Sequence, residues 1–276
     1  LAKTASQVFT APKNNANFLS RKQVAVKITL GPAYRQTMIF VLDDNPNTPF
    51  PDVSLAEREP DGLLAVGGDL TPQRLIQAYQ LGIFPWFTEG EPILWWSPDP
   101  RTVLYPEKIK ISRSLRKVLR KKVYKVSFDH DFEAVIMGCA APRENSPGTW
   151  LVPEMINAYH QQHELGLAHS VEVWLDDELV GGLYGMALGA VFFGESMFSR
   201  ATDSSKIALV HLSQKLSQWG YKMIDCQVYT RHLASLGAEE IPRSSFCADL
   251  DRWTRLPGRS GSWAAEGKHY PEIDLC

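Results

Sequence analysis

Asp225 and Gln227 stand two positions apart in the short apolar run Met223-Ile224-Asp225-Cys226-Gln227-Val228. On an extended strand, side chains at that spacing leave by the same face. A carboxylate and an amide on such a strand are costly to bury alone, so they belong either to a hydrogen-bonded structural network or to a site that uses them. Glu195 is a third group of this kind. It follows Ala190-Val191-Phe192-Phe193 at Gly194, where a polar head can emerge from a sheet into a cleft. The chemistry open to this set is hydrogen bonding and proton exchange. Covalent catalysis by serine has no support, because no Gly-x-Ser-x-Gly elbow is present.

Two further sets accompany these groups. Leu183, Met197, Leu209 and Leu212 are apolar positions close in sequence to the polar ones. Taken alone they read as core, although Met197 lies two residues from Glu195 and so leaves a pocket open. The second set is basic: Lys108, Lys110, Arg113, Arg116, Lys117, Arg120, Lys121, Lys122 and Lys125, with no acidic residue among them. Arg113, Arg116, Lys117 and Arg120 recur every three or four positions, the spacing of one helix side. Such a patch suits a phosphate backbone, and a solvated helix face is the plainer alternative.

Positioning these groups falls to a mixed set of elements. From Met38 to Glu59, Pro, Asp and Asn are dense enough to predict a loop or extended arm. Leu63 to Leu70 reads as a short buried segment ending at Gly67-Gly68. Thr71-Pro72 opens a helix that Gly82 ends. Ile83 to Arg101 mixes Phe84, Trp86, Phe87, Trp95 and Trp96 with four prolines, which excludes a long helix and predicts a rigid aromatic platform for something flat. A helix capped by Ser112 runs to about Arg120, and Val123 to Phe128 alternates as a strand. Ser170 to Trp174, Leu179 to Met186 and Ala190 to Phe193 form an antiparallel meander that turns at Asp176-Asp177. Ser204 or Ser205 starts a helix ending at Gly220, Met223 to Val228 is a strand, and a helical stretch follows near His232 to Leu236. The fold class is α+β, with helices on a largely antiparallel sheet.

Composition sets the outer bounds. With 276 residues, 44% of them hydrophobic and 22% charged, the chain can bury one large core or two smaller ones. No apolar run is long enough to span a bilayer, which points to no membrane partner. The four cysteines, Cys139, Cys226, Cys247 and Cys276, show no paired spacing, so reduced thiols and no metal are expected. Residues 1–37 hold six basic residues and no acid, leaving 23 basic against 31 acidic residues beyond them. That opening is expected to be irregular and without a part in the chemistry, either a transit-like leader or an extension upstream of a start at Met38. No nucleotide fingerprint accompanies Gly67-Gly68 or Gly181-Gly182, so no cofactor is expected.

Gly62-Leu63-Leu64-Ala65-Val66-Gly67-Gly68-Asp69-Leu70, Gly82-Ile83-Phe84-Pro85-Trp86-Phe87, Trp95-Trp96-Ser97-Pro98-Asp99-Pro100-Arg101 and Gly148-Thr149-Trp150 resemble the leucyl/phenylalanyl-tRNA protein transferase family. So do Ala168-His169-Ser170-Val171-Glu172-Val173-Trp174, Gly194-Glu195-Ser196-Met197-Phe198-Ser199, Ile224-Asp225-Cys226-Gln227 and Ala234-Ser235-Leu236-Gly237-Ala238, in the family's order from about Glu59 to Leu250. The resemblance implies a small N-terminal domain over 38–100 and a C-terminal domain over 101–276 similar to the GNAT acyltransferase fold. It implies leucyl-tRNA and phenylalanyl-tRNA as donors and proteins with N-terminal Arg or Lys as acceptors, in a cytoplasmic enzyme of a bacterial N-degron route; a monomer is expected. Carried over by motif, Trp86 and Trp150 hold the 3′ adenosine, and Leu183, Met197 and Leu209 receive the Leu or Phe side chain. Leu183 stands where some members have Met. Glu195, Asp225 and Gln227 line the reaction centre, and Lys110, Arg113, Arg116, Lys117, Arg120 and Lys121 grip the tRNA. Two rivals stay open: an acyl-CoA N-acyltransferase, whose Arg/Gln-x-x-Gly-x-Gly/Ala loop is missing here, and a non-catalytic tRNA-binding module, which leaves Glu195, Asp225 and Gln227 without a role.

Overall fold

A computed structural model describes residues 24–28, 37–142 and 151–264. Trp150 lies outside the described residues, as does Cys276.

Two sheets share the work of building the molecule. The first has five strands in the order β1-β2-β3-β5-β4: Val24–Ile28 (β1), Thr37–Leu42 (β2), Leu63–Gly67 (β3), Phe84–Pro85 (β4) and Leu94–Trp96 (β5). Between β3 and β4, α1 (Pro72–Gln80) begins with Pro at its first turn and Thr71 as cap, whose hydroxyl accepts from the Arg74 N–H. Its buried face carries Leu75, Ala78 and Tyr79. Gly82 follows with φ +77, a conformation that favours glycine; a Cβ there would also strike the Phe246 ring at 2.9 Å. The Pro- and Asn-rich composition after Leu42 hides the strand before it. Thr37–Leu42 is β2, parallel to β3 and antiparallel to β1, in place of the expected loop and irregular leader.

The second sheet has seven strands in the order β12-β6-β11-β10-β9-β8-β7. Arg101–Leu104 (β6) enters it from the end of the aromatic platform. Next come α2 (Arg113–Arg120), β7 (Lys125–Phe128), α3 (Phe132–Ala140) and α4 (Pro153–Glu164). The meander is β8 (Ala168–Leu175), β9 (Glu178–Leu188) and β10 (Val191–Ser199), antiparallel throughout as the sequence predicts. α5 (Ser204–Gln218) crosses over to β11 (Met223–Gln227), which pairs with β10 in parallel. The chain then forms α6 (Arg231–Ser235), β12 (Glu239–Ile241) and α7 (Arg243–Trp253). The architecture is α+β.

One apolar core joins the two sheets: Trp95 of β5, Tyr79 of α1 and Ile83 just before β4 share a cluster with Met155, Phe193 and Phe246 from the second part of the chain. Burying a large apolar side chain stabilises by about 1.5–3 kcal/mol, so this shared core fixes one sheet against the other. A second cluster, between the seven-stranded sheet, α2 and α5, holds Leu115, Leu183, Leu209 and Leu212. No helix among the described residues is long and apolar enough to cross a membrane.

Candidate active site

The parallel pair β10–β11 comes apart where the polar groups begin. Its register runs Val191 with Met223, Phe192 with Ile224 and Phe193 with Asp225, and then stops. Beyond that point each strand carries a bulge against its other neighbour. In β10 the register to β9 shifts between Gly194 and Ser196, and in β11 the register to β6 shifts between Asp225 and Gln227. An unpaired extra residue bends a strand and re-aims its side chains. Here the two bulges open the sheet into a pocket of about 1230 Å³ lined by Glu195 on one side and Gln227 on the other.

Glu195 is caged. Its Oε1 accepts from the Tyr79 hydroxyl and its Oε2 from the Tyr159 hydroxyl, both at 2.6 Å, and the two phenol oxygens are 2.7 Å apart. Burial pushes the Glu195 carboxyl up to about 7, against the opposing pull of these two donors. Nearby Asp225 raises it further, and Arg101 draws it down. Burial and the adjacent carboxylate push Tyr79 and Tyr159 well above the usual phenol range, so both remain proton donors. The Tyr184 hydroxyl, also buried, has no hydrogen-bond partner among the described residues, and its ring packs on Tyr159 at 5.2 Å.

Gln227 is held differently. Its φ of 56° is in the left-handed region, which costs a non-glycine residue on the order of 1–3 kcal/mol. Its backbone N–H donates to Asp225 Oδ1 at 3.0 Å. Asp225 is in turn gripped by Arg101, whose Nε and Nη2 donate to the two carboxylate oxygens at 2.8 and 2.7 Å. Both members of this ion pair are fully buried. Arg101 also donates to the Gly82 carbonyl at 3.0 Å and lies between the Phe84 and Phe246 rings, at 4.8 and 4.5 Å from their centroids. The consequence is a side-chain amide whose buried Nε2 has no partner among the described residues, at the pocket wall. Asp225 orients Gln227 through the main chain and is not itself among the lining residues. The Cys226 thiol, between them, is pushed up by burial and is a poor nucleophile.

The apolar set converges from three elements. Leu183 of β9 and Met197 of β10 are register partners, and Leu209 of α5 packs beside them. All three line the pocket. Trp86 lines it too, half-buried, its backbone N–H bonded to the Leu94 carbonyl and its ring 5.8 Å from that of Trp96. The platform is therefore part of the pocket wall.

The basic set lies outside. Ser112 caps α2 by accepting from the Leu115 N–H, and Leu115 and Leu119 are buried. Burying that stripe turns Arg113, Lys117 and Arg120 outward, with Arg116 half-buried and Lys110 and Lys121 exposed. Lys108 pairs with Glu239 and Lys125 with Asp177 at the ends of the cluster. The six central residues have no ion pair among the described residues, which leaves their charge available to an anionic partner.

Sequence reasoning missed Arg101, Tyr79 and Tyr159 as site residues. An arginine opening the apolar stretch Arg101-Thr102-Val103-Leu104 was the one available signal, since a charge there must have a partner. Tyr79 looked like any apolar-face residue of α1, and nothing near Tyr159 distinguished it.

The chain matches the family model for leucyl/phenylalanyl-tRNA protein transferase over residues 103–251 and the model for that protein's N-terminal domain over residues 68–99. It is 60% identical over 217 residues to a leucyl/phenylalanyl-tRNA–protein transferase of Nitrosomonas europaea, covering 79% of this chain and 92% of the relative. It is 61% identical over 233 residues to one of Azoarcus sp., covering 83% of this chain and 98% of that relative. A GCN5-related N-acetyltransferase from Kribbella flavida superposes over 62% of this chain and 61% of its own, at 12% identity and a TM-score of 0.32. On the strength of the family models and of relatives this similar over most of their length, the chain belongs to the leucyl/phenylalanyl-tRNA protein transferase family.

Proposed function

We infer that the chain moves a leucyl or phenylalanyl group from its tRNA to the N-terminal amine of an acceptor protein that begins with Arg or Lys. One observation carries the reading: a single pocket joins an aromatic wall at Trp86, an apolar recess at Leu183, Met197 and Leu209, and two polar groups, Glu195 and Gln227, at its head. The terminal adenosine stacks on Trp86, with Trp150 as its expected second contact, and such stacking contributes about 1–3 kcal/mol per base. The Leu or Phe side chain fills the recess, and the basic residues Lys110, Arg113, Arg116, Lys117, Arg120 and Lys121 take the phosphates of the acceptor stem.

The aminoacyl ester is already activated, so the reaction needs placement and proton handling. An incoming α-ammonium, with a pKa of about 7.7–8.0, is closely matched to a carboxylate whose own value is raised to about 7. Glu195 takes one proton and leaves a neutral amine facing the ester carbonyl. The buried Gln227 amide, oriented through Asp225 and Arg101, hydrogen-bonds at the reacting centre. The C–N bond forms, the C–O ester bond breaks, and the amine's second proton ends on the ribose hydroxyl that leaves. Alignment alone lowers such a barrier by several kcal/mol, about 7–11 at best.

The test is transfer of radiolabelled Leu or Phe from charged tRNA to a protein beginning with Arg, beside the same protein beginning with Ala. Label on the Arg protein alone supports the reading. Labelling of neither, with tRNA bound, favours a non-catalytic binding module. A rise in melting temperature with coenzyme A would instead favour an acyl-CoA enzyme.

A further inference from the structure

Between the pocket and the basic helix lies a strip of surface that the reaction scheme above leaves unused. The left-handed turn at Gln227 puts Val228 and Thr230 on the pocket wall, while Tyr229, between them, is 53% exposed. Tyr229 makes no ring contact or hydrogen bond among the described residues. A single exposed tyrosine is ordinary on a protein surface. This one is followed by Arg231, exposed and without an ion pair among the described residues, at the start of α6. At the other end of α6, the Leu236 carbonyl accepts from the Lys110 N–H at 2.9 Å, which ties this helix to the beginning of the basic cluster.

The dimensions fit a nucleic-acid strand. Thr230 to Leu236 is six helical steps, about 9 Å of rise. Stacked nucleotides advance about 3.4 Å each, so roughly two or three of them cover that distance. A tRNA presents a few unpaired nucleotides between its stem and its terminal adenosine, and these must cross from Trp86 to α2 if both ends bind as described.

We propose that Tyr229 and Arg231 form the track for those unpaired nucleotides, Tyr229 stacking on a base and Arg231 meeting a phosphate. The proposal rests on the transferase reading. Charge favours RNA over the acceptor polypeptide as occupant, because an acceptor beginning with Arg or Lys would bring its cation against Arg231 and Lys110.

The test compares two donors, intact charged tRNA and an aminoacyl-adenosine that lacks every upstream nucleotide, at concentrations where the wild-type chain transfers from each. Tyr229→Ala raises KM for charged tRNA by about fivefold or more and leaves the aminoacyl-adenosine unaffected, while Tyr229→Trp keeps the wild-type value. Arg231→Ala lowers the slope of log KM for tRNA against log salt by about 1. Equal loss on both donors would overturn the proposal, since it would mark Tyr229 as structural. An unchanged KM for tRNA would overturn it, and so would a rise confined to the acceptor peptide's KM. No transfer by the wild-type chain from charged tRNA would reject the transferase reading, a failure distinct from any of these.

Discussion

Replacing Arg101 and Asp225 separately and together gives a sharp test of how the site is held. The pair is fully buried and joined by two hydrogen bonds of 2.8 and 2.7 Å. Arg101→Met leaves the Asp225 carboxylate in the interior with, among the described residues, only the Gln227 N–H, a loss of about 3–5 kcal/mol. Asp225→Leu leaves a buried guanidinium with the Gly82 carbonyl and two aromatic faces, and the same range applies. If the losses were independent, the double variant would be destabilised by about 6–10 kcal/mol. Apolar residues of similar volume can replace a buried ion pair at almost no net cost, so the double variant is expected within about 2 kcal/mol of wild type. Its activity does not recover. Without Asp225 the Gln227 N–H loses its carboxylate acceptor and the left-handed turn is left to the Val228 N–H to Cys226 carbonyl bond, and a displacement of about 1 Å costs on the order of 100-fold in rate. Denaturant midpoints and kcat at saturating donor read the two effects separately. Additive stability losses, or a double variant with wild-type kcat, would refute the reasoning.

Trp86→Ala is expected to raise KM for the charged tRNA by about fivefold to 100-fold in steady-state transfer, in line with the loss of one stacked base. Replacing Arg113, Lys117 and Arg120 by Ala leaves the melting temperature nearly unchanged, because all three are exposed, and flattens the plot of log KM against log salt by about 2–3. Glu195 also links stability to pH. Its raised value means that its contribution is present below about 4.5 and is lost as pH rises through about 7. The melting temperature of the wild-type chain therefore falls more between pH 5 and pH 8 than that of Glu195→Gln, as thermal unfolding at the two pH values would measure.

Local signals carried most of the element order. The meander around Asp176-Asp177, the α1 and α5 helices and the capped basic helix are written in period and turn chemistry, and they form where expected. What local signals cannot carry is partnership between distant segments. Leu183 and Met197 become a pocket wall only because β9 and β10 pair in a register that sets them opposite. Leu209 reads as core from its helical spacing, and it is core on one side and pocket on the other. Tyr79 and Glu195 are 116 positions apart, and Arg101 and Asp225 are 124 apart. Thr37–Leu42 was obscured by the prolines and asparagines that follow it, although a strand needs only its own six residues and two neighbours. The bulges at Glu195 and Cys226, which open the pocket, leave no mark in composition at all.

The measurement closest to the central claim is the pH dependence of kcat/KM for transfer to an Arg-initiated acceptor, in the wild-type chain and in Glu195→Gln. The wild-type profile should rise through about 7 as Glu195 ionises within the Tyr79–Tyr159 cage. In the variant that limb should vanish, with kcat/KM lowered and only the acceptor amine's own rise near about 7.7–8.0 remaining. Superimposable profiles with unchanged kcat/KM would remove Glu195 from the chemistry and contradict the account.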